Sequence, residues 1–593
     1  MALGGPPFME WTEKTQYERI VECWSEQDNV QARLKTARED ISDYFRPDLG
    51  VDYDESHDML MLGGEIYEGS GPWVARRATT AFQGNTVSKK LDWIKYGFSD
   101  KRLAGIDELD AFAQDLKTHN SAVYQNGNFY DIQPQFTLDG WTIGSPLIFI
   151  EEDPDTNHVM CIPSHWLTYR LFYDKFNHTE GVIIKEEWSA KRCFDEFCTD
   201  KDITKRLAKA EKIFTQGLYD AIKNGRMNTR FHIWRAVFKS TDPIFSGLKA
   251  PVSSKYYPKK WYGVYFEDGC LKEKQNEPLG TQGYYSKPFV NWDYNKKLWE
   301  TASRTPAFEA IFDNKGLQKI FKAYVDSAQD RVRPAMAALL DMEDRLDFRS
   351  QGVTYFKPNE WQYIPQPINQ AGEVTLELDI IKVFKENLNR HFSLDTFQLF
   401  TELAHDTNQE MKVFQLVEMA GEKITQLLPT IESHEYYLAE VDARVQDIER
   451  QAGRGPYNPR EIENIIDILD FYLGDEASGV RILPEFIGTL RQTQQMQQKL
   501  KPIQYGMGAL NELGVSMQDV NYVRHMIKRF ETGEAIIEAV NFPQKLVNEK
   551  AEYERLEAEF QELQARREQF ANQIEMAKAL PPGTIEQLTG QTA

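Results

Sequence analysis

The amino-acid sequence predicts an α+β fold that is mostly helical. Apolar residues recur every three or four positions, the period of a helix, in the first part of the chain and again over most of its second half. Between them stand short apolar runs bounded by Gly, Pro, Asp and Asn, which is typical of β-strands. At 593 residues the chain can form roughly three or four packed regions of about 150 residues each.

The N-terminal region begins with a predicted helix. It runs from Glu13 to Tyr44 and ends before Arg46-Pro47, because the residue before a proline disfavours the helical conformation. A second helical pattern starts at Glu65 and closes on Trp93 and Phe98. Helical periodicity continues from there to Tyr130.

The middle of the chain is predicted to carry most of the strands. The predicted strands are Leu147 to Ile150, Val182 to Ile184, Phe231 to Phe238 and Trp261 to Phe266. A helix rich in Lys and Ala, about Ile203 to Lys223, interrupts them and stops at Asn224-Gly225.

The stretch from Gly283 to Pro334 has the most distinctive pattern. A strand-like piece ends in Lys287-Pro288-Phe289-Val290 and Trp292. A helix follows, with Thr305 as N-cap and Pro306 at the first helical position, where the missing N–H costs nothing. Its apolar face is predicted to comprise Phe308, Ile311, Phe312, Ile320, Phe321, Tyr324, Ala328 and Val332.

The remaining C-terminal part is predicted to be helical after a short extended piece, Val353 to Val374. Its last strong element alternates three- and four-residue spacings, a pattern typical of a coiled coil. The residues are Tyr553, Leu556, Phe560, Leu563, Arg567, Phe570 and Ile574.

Composition excludes several classes of protein. The formal net charge is −22, whereas a protein that grips DNA through its phosphates is normally basic. The five cysteines form no CxxC pair, so we expect buried or free thiols and neither a zinc site nor a disulfide framework. No stretch approaches the roughly 20 apolar residues of a membrane helix, and no signal peptide is visible, so we expect a soluble protein made inside the cell.

Motifs for enzyme chemistry are missing from the sequence. There is no G-x-x-x-x-G-K-[ST] phosphate loop, no G-x-S-x-G nucleophile elbow and no H-x-x-x-H pair. The acidic run Glu151 to Asp155 could be a divalent-cation site or a solvated turn, and the turn is favoured because the run lacks the glycine and spaced ligands of a calcium loop. We therefore expect no catalytic residue, no metal and no cofactor.

The stretch from Gly283 to Pro334 resembles the centre of the head-to-tail connector (portal) proteins of short-tailed bacteriophages, the podovirus type. Other landmarks of that family follow in family order, and the order carries the resemblance. They are Asp43 to Pro47, Ile66-Tyr67-Glu68, Asn128-Phe129-Tyr130, Gly144, Thr407 to Met411 and Leu428-Pro429. Two landmarks depart from the family pattern: Thr407 to Met411 replaces a Met-Thr-Ala-Thr-Glu turn, and Ala302 to Pro306 replaces a Tyr-Gly-Arg-x-Pro sequence.

The resemblance implies a portal fold with wing, stem, clip and C-terminal helical crown. Its boundaries in this chain would be an N-terminal wing over 1–200, a first stem helix over 201–228, a β-rich clip over 229–303, a second stem helix over 304–345, wing and channel-side helices over 346–475, and the crown over 476–593.

The resemblance also implies a function. The expected protein is a non-enzymatic ring of about twelve copies at one capsid vertex of the virion, through which DNA is packaged and ejected. Expected partners are the major capsid protein, the packaging terminase, and tail adaptor and nozzle proteins, with transient contact to double-stranded DNA, no membrane insertion, and assembly in the host cytoplasm. Alternatives are another phage assembly protein, such as a tail adaptor or scaffold, or a tail-associated hydrolase.

Two basic features stand out against the acidic background. In the expected clip, one basic and aromatic group is either a soluble hairpin tip or a contact for the packaging motor or tail adaptor. It comprises Lys255, Tyr256, Tyr257, Lys259 and Lys260. In the second half of the chain, Lys382, Lys385 and Arg390 lie on the polar side of a helix. They are either a solvated face or channel-lining residues that touch phosphates lightly.

Overall fold

The computed structural model describes residues 14–49, 66–90, 92–103, 106–245, 259–270, 276–297, 300, 303–332, 336–337, 366–367, 374–396, 413–473 and 480–488. The chain divides into two compact units. One comprises Met1–Met411 and Glu422–Arg491, and the other comprises Lys412–Gly421 and Gln492–Ala593. Every contact discussed below is made within the first unit. The predicted coiled-coil residues 553–574 and nearly all of the predicted crown lie outside the described residues.

The described α-helices follow one another along the chain. They are α1 (Gln16–Phe45), α2 (Ser70–Thr86), α3 (Asp107–Asn126), α4 (Phe129–Trp141), α5 (Ala190–Phe197), α6 (Ile203–Ile213), α7 (Gln216–Lys223), α8 (Pro306–Val332), α9 (Val374–His391), α10 (Val413–Ala452) and α11 (Pro459–Leu473). The predicted start of α8 is confirmed: Pro306 is its first residue, and the hydroxyl of Thr305 accepts a hydrogen bond from the Phe308 N–H at 3.4 Å.

The strands form antiparallel sheets. They are β1 (Ile94–Phe98), β2 (Leu147–Glu152), β3 (Val159–Ser164), β4 (Tyr169–Tyr173), β5 (Thr179–Ser189), β6 (Arg230–Lys239), β7 (Trp261–Glu267), β8 (Gly280–Tyr284), β9 (Phe289–Asn291), β10 (Met336–Ala337), β11 (Gln366–Pro367) and β12 (Ile482–Phe486). Strands β4 to β8 pair in chain order in one sheet, and β3-β2-β9 form another. Strands β1 and β12 pair with each other, as do β10 and β11. The predicted combination of helices and strands is therefore confirmed, including all the strands predicted in the middle region.

The prediction of one helix over Ile203 to Lys223 is wrong, because the structure has two helices there, α6 and α7. A carboxylate from β7 forms the break: Glu267, 3% exposed, accepts a hydrogen bond from the Thr215 N–H at 2.8 Å and another from the Thr215 hydroxyl. These bonds hold Thr215 in the extended conformation of an N-cap, so that a new helix begins at the next residue.

The prediction that the second helical segment extends to Trp93 and Phe98 is also wrong, because the helix ends earlier. Helix α2 stops at Thr86, and β1 follows, pairing with β12 from Ile94 opposite Phe486. Trp93 is buried and stacks on Phe486, with ring centroids 6.2 Å apart. The predicted crown thus begins, in its described part, with a strand.

Helices α8 and α9 pack against each other as an antiparallel pair. Near the start of α8, the Asp313 carboxylate lies 3.0 Å from the His391 ring at the end of α9. Further along, Gly316 faces Phe384: a Cβ at position 316 would lie 2.9 Å from that ring. The missing side chain therefore allows the two helices to approach closely.

An aromatic cluster lies at the centre of the core. Trp292, 1% exposed, stacks on Phe82 of α2 with ring centroids 6.2 Å apart. It also meets the edge of the His434 ring of α10 at 4.9 Å. His434 is 1% exposed, and neither of its ring nitrogens has a hydrogen-bond partner among the described residues. Burial lowers the pKa of His434 to about 3.

All five cysteines are buried and unpaired, as predicted. None of the described helices is both long enough and apolar enough to cross a membrane.

The burial of neutral His434 should make the protein acid-sensitive. Below the ordinary histidine pKa the unfolded chain binds a proton that the folded chain does not, so the free energy of unfolding falls as pH drops from about 6.5 towards about 3. Denaturant titrations of wild-type protein and His434→Phe at pH 7 and pH 5 should show that the variant loses about 2 kcal/mol less over this interval. The exposed control His158→Phe should retain the wild-type pH dependence. Identical slopes for wild type and His434→Phe would contradict this assignment.

Candidate functional site

The basic residues predicted to line a channel lie on α9, but they do not share one face. At 3.6 residues per turn, Lys385 and Arg390 are separated by roughly 140° around the helix axis, with Lys382 between them. Lys382 and Arg390 are exposed, whereas Lys385 is half-buried at the flank of the helix. The three residues thus divide into two that face solvent and one that faces the protein.

Lys385 makes a structural ion pair. Its Nζ lies 2.9 Å from Oε1 of Glu68, whose side chain is 13% exposed. Glu68 also accepts hydrogen bonds from the Ser70 N–H at 2.9 Å and the Ser70 hydroxyl at 2.7 Å. Burial alone would raise the pKa of Glu68, but the bonds from Lys385 and Ser70 outweigh it and lower that pKa. Lys385 therefore fixes α9 to the start of α2.

Lys382 and Arg390 are far less constrained. Lys382 lies 3.7 Å from Asp379 one turn earlier, with both side chains more than 70% exposed, an arrangement that contributes little to stability. Arg390 pairs with no carboxylate among the described residues. These two cations are available to an external anion.

The second predicted set lies in the connection from β6 to β7. Lys255, Tyr256 and Tyr257 fall outside the described residues. Lys259 is partly exposed, with Nζ 5.8 Å from the centroid of the Tyr285 ring, and Lys260 is exposed. The Lys260 carbonyl accepts the Ser240 N–H at 2.8 Å, which closes the end of the strand pair. The two described lysines thus lie at one end of the five-stranded sheet.

A cavity of about 430 Å³ lies between the β4–β5 hairpin, the segment after β9, and α10. Within it, Asp293 accepts hydrogen bonds from the hydroxyls of Ser145, Ser303 and Tyr173 and from the amide of Asn291. These four donors hold the Asp293 carboxylate in one position. Among the described residues, no group of three or more His, Cys, Asp or Glu side chains is placed to hold a metal ion.

Sequence reasoning missed an exposed aromatic and basic face on α2. Trp73 is 50% exposed, and the Arg77 guanidinium lies 5.2 Å from its ring centroid. On α8, Phe312 was predicted to belong to the apolar face of the helix, and it is 80% exposed. The α2 face could have been found from composition, because α2 contains no acidic residue although the chain has a net charge of −22.

The ion pair between Glu68 and Lys385 should contribute to stability, whereas that between Asp379 and Lys382 should not. Glu68→Gln removes a charged, largely buried acceptor and should lower the free energy of unfolding by about 1–3 kcal/mol. The matched variant Asp379→Asn should change it by less than about 0.5 kcal/mol. Urea denaturation of both variants checks the difference, and equal effects would refute it.

Comparison with known proteins assigns the chain to a family. The family model described as bacteriophage head to tail connecting protein matches residues 18–547, which is most of the chain. No curated protein matched the chain at a significant level. The match begins within α1, covers all the later helices and strands described above, and continues past β12. The chain therefore belongs to the family of bacteriophage head to tail connecting proteins.

Proposed function

We propose that this protein is the portal of a short-tailed bacteriophage: a ring of about twelve copies at one capsid vertex, through which DNA enters during packaging and leaves during ejection. The observation that carries the proposal is the family match over residues 18–547. As a head to tail connecting protein, the chain is a structural component of the virion and assembles with other phage proteins at the head–tail junction. The proposed partners are the major capsid protein, the packaging terminase, and tail adaptor and nozzle proteins.

We place the stem in the α8–α9 pair and the clip in residues 333–373 between them. This assignment differs from the sequence-based one, which put the first stem helix over 201–228 and the clip over 229–303. Two observations favour it: α8 and α9 pack antiparallel, and the segment joining them contains the short strand pair β10–β11. Residues 203–223 instead form two short helices, and the buried side chains of these helices pack in one cluster with residues of β5, β6 and β7. Strands β6 to β8 belong to the same sheet as β4 and β5.

The new assignment puts the basic residues of α9 on a stem helix. In a ring, Lys382 and Arg390 of each copy would then repeat as two circles of positive charge along the channel. The chain as a whole is acidic, with a net charge of −22, which disfavours strong binding to DNA phosphates. Isolated exposed cations within such a surface would contact phosphates briefly, because each contact is screened by salt over a Debye length of about 8 Å.

Purified protein should assemble into a closed ring of about twelve copies. The physical reason is that exposed apolar side chains, such as Phe312 at 80% and Tyr472 at 54% exposure, are unfavourable in a monomer. Native mass spectrometry over a range of concentrations and salt checks the copy number. Monomer or dimer under all of these conditions would overturn the proposal.

Removing the two exposed cations should impair DNA handling but not assembly. Lys382→Gln/Arg390→Gln should form rings with wild-type stability, since exposed polar substitutions usually change it by less than about 0.5 kcal/mol. The yield of packaged or retained genome should fall in phage complemented with this variant. The control Lys201→Gln/Lys205→Gln, on an exposed surface around the start of α6, should package normally. Wild-type packaging by the α9 variant would show that these cations form an ordinary solvated face.

A further inference from the structure

The exposed face of α2 has the composition of a protein contact surface. Trp73, Arg76, Arg77 and Thr80 project from it, and Trp73 is 50% exposed with Arg77 over its ring. The Arg76 side chain is 57% exposed although it lies 3.6 Å from Asp48. Tryptophan and arginine are the residues that most often dominate binding energy in protein interfaces.

Helix α2 also holds this face rigidly. Its opposite side is buried, with Val74, Ala75, Ala78 and Phe82 each at most 2% exposed. Its start is fixed by the ion pair between Glu68 and Lys385. A partner would therefore meet a preformed surface, which lowers the entropy cost of binding.

Helix α11 has an apolar and acidic surface, in contrast to the basic and aromatic face of α2. It carries an apolar stripe at helical spacing, yet no residue of α11 whose burial is described is buried, and Ile466 and Tyr472 are 49% and 54% exposed. The stripe comprises Ile462, Ile465, Ile466 and Leu469, of which Ile462 packs partly against the main core. Exposed acidic residues surround it, namely Glu461, Glu463, Asp467 and Asp470, with Arg460 as the one base of the helix. An exposed amphipathic helix of this kind is a surface for a partner.

We propose that α11 of one copy docks on the Trp73–Arg76–Arg77 face of α2 in a neighbouring copy. Charge selects this occupant: two α11 helices would oppose acid to acid, whereas α2 offers two arginines and an aromatic ring to the acids and isoleucines of α11. Because the two surfaces differ, the contact is head-to-tail, the type that closes into a ring when the rotation permits. The inference rests on the proposed ring and names one contact that holds it together.

The experiment is a charge exchange. Arg76→Glu/Arg77→Glu and, separately, Glu463→Lys/Asp470→Lys are compared with wild type by native mass spectrometry and analytical ultracentrifugation. Each double variant should assemble at least tenfold less well, since like charges then face each other. The combined quadruple variant should recover most of the assembly. The matched control Lys201→Glu/Lys205→Glu should form rings like the wild type, and circular dichroism confirms that each chain is folded.

The outcomes separate this contact from the proposed function. Wild-type rings that persist in either double variant would overturn the contact and leave the ring intact. Loss of rings in both double variants without recovery in the quadruple variant would also overturn it, because α2 and α11 would then meet other partners, such as DNA or another phage protein. Wild-type protein that never forms rings would overturn the proposed ring itself and this contact with it.

Discussion

The packing of Trp292 against Gly140 is the constraint on which the rest of the core depends. A Cβ at position 140 would lie 2.5 Å from the Trp292 ring, so only glycine lets α4 approach the indole. The indole N–H donates to the Ser433 hydroxyl of α10 at 3.1 Å, and its face stacks on Phe82 of α2. One side chain thus joins segments that are far apart in the sequence. Through α2 the same cluster positions the ion pair to α9, and hence the α8–α9 pair that we assign to the stem.

Local patterns in the sequence predicted those elements that local interactions determine. The start of α8 is one example, because a cap and a proline at adjacent positions specify it without help from the fold. The break between α6 and α7 could not be predicted in this way, since the carboxylate that forms it comes from Glu267 on a later strand. Strand β1 pairs with β12, which lies close to the C-terminal end of the described chain. Without knowledge of that partner, the residues of β1 were predicted to be the end of a helix. The ion pair of Lys385 could not be predicted for the same reason. Its partner Glu68 lies far away in the sequence, so the spacing of residues along α9 does not indicate it.

Some of the buried charges of the described core are held by ion pairs, and others by hydrogen bonds alone, as Asp442 is by the hydroxyls of Tyr96 and Tyr124. Arg46, 1% exposed, bonds the carboxylates of Asp48 and Asp139. Lys287 similarly contacts Glu440 at 2.7 Å. Pairs of this kind cancel within the protein and stabilise specific helix positions, although each costs desolvation.

A net charge of −22 per chain creates two opposite requirements in the proposed ring. Neighbouring copies repel one another, so the surfaces that join them need positive charge or apolar area to offset the repulsion, and the α2 face provides both. The wall of the proposed channel, by contrast, would benefit from repulsion, because a duplex held by many strong phosphate contacts would not slide. Basic residues should therefore be fixed in pairs or concentrated at contacts between copies, with only a few left free towards the DNA. Three residues have environments that fit these three roles. Lys385 is bound to a carboxylate within the chain, and Arg77 lies over an exposed aromatic ring. Arg390 is exposed and has no carboxylate partner among the described residues.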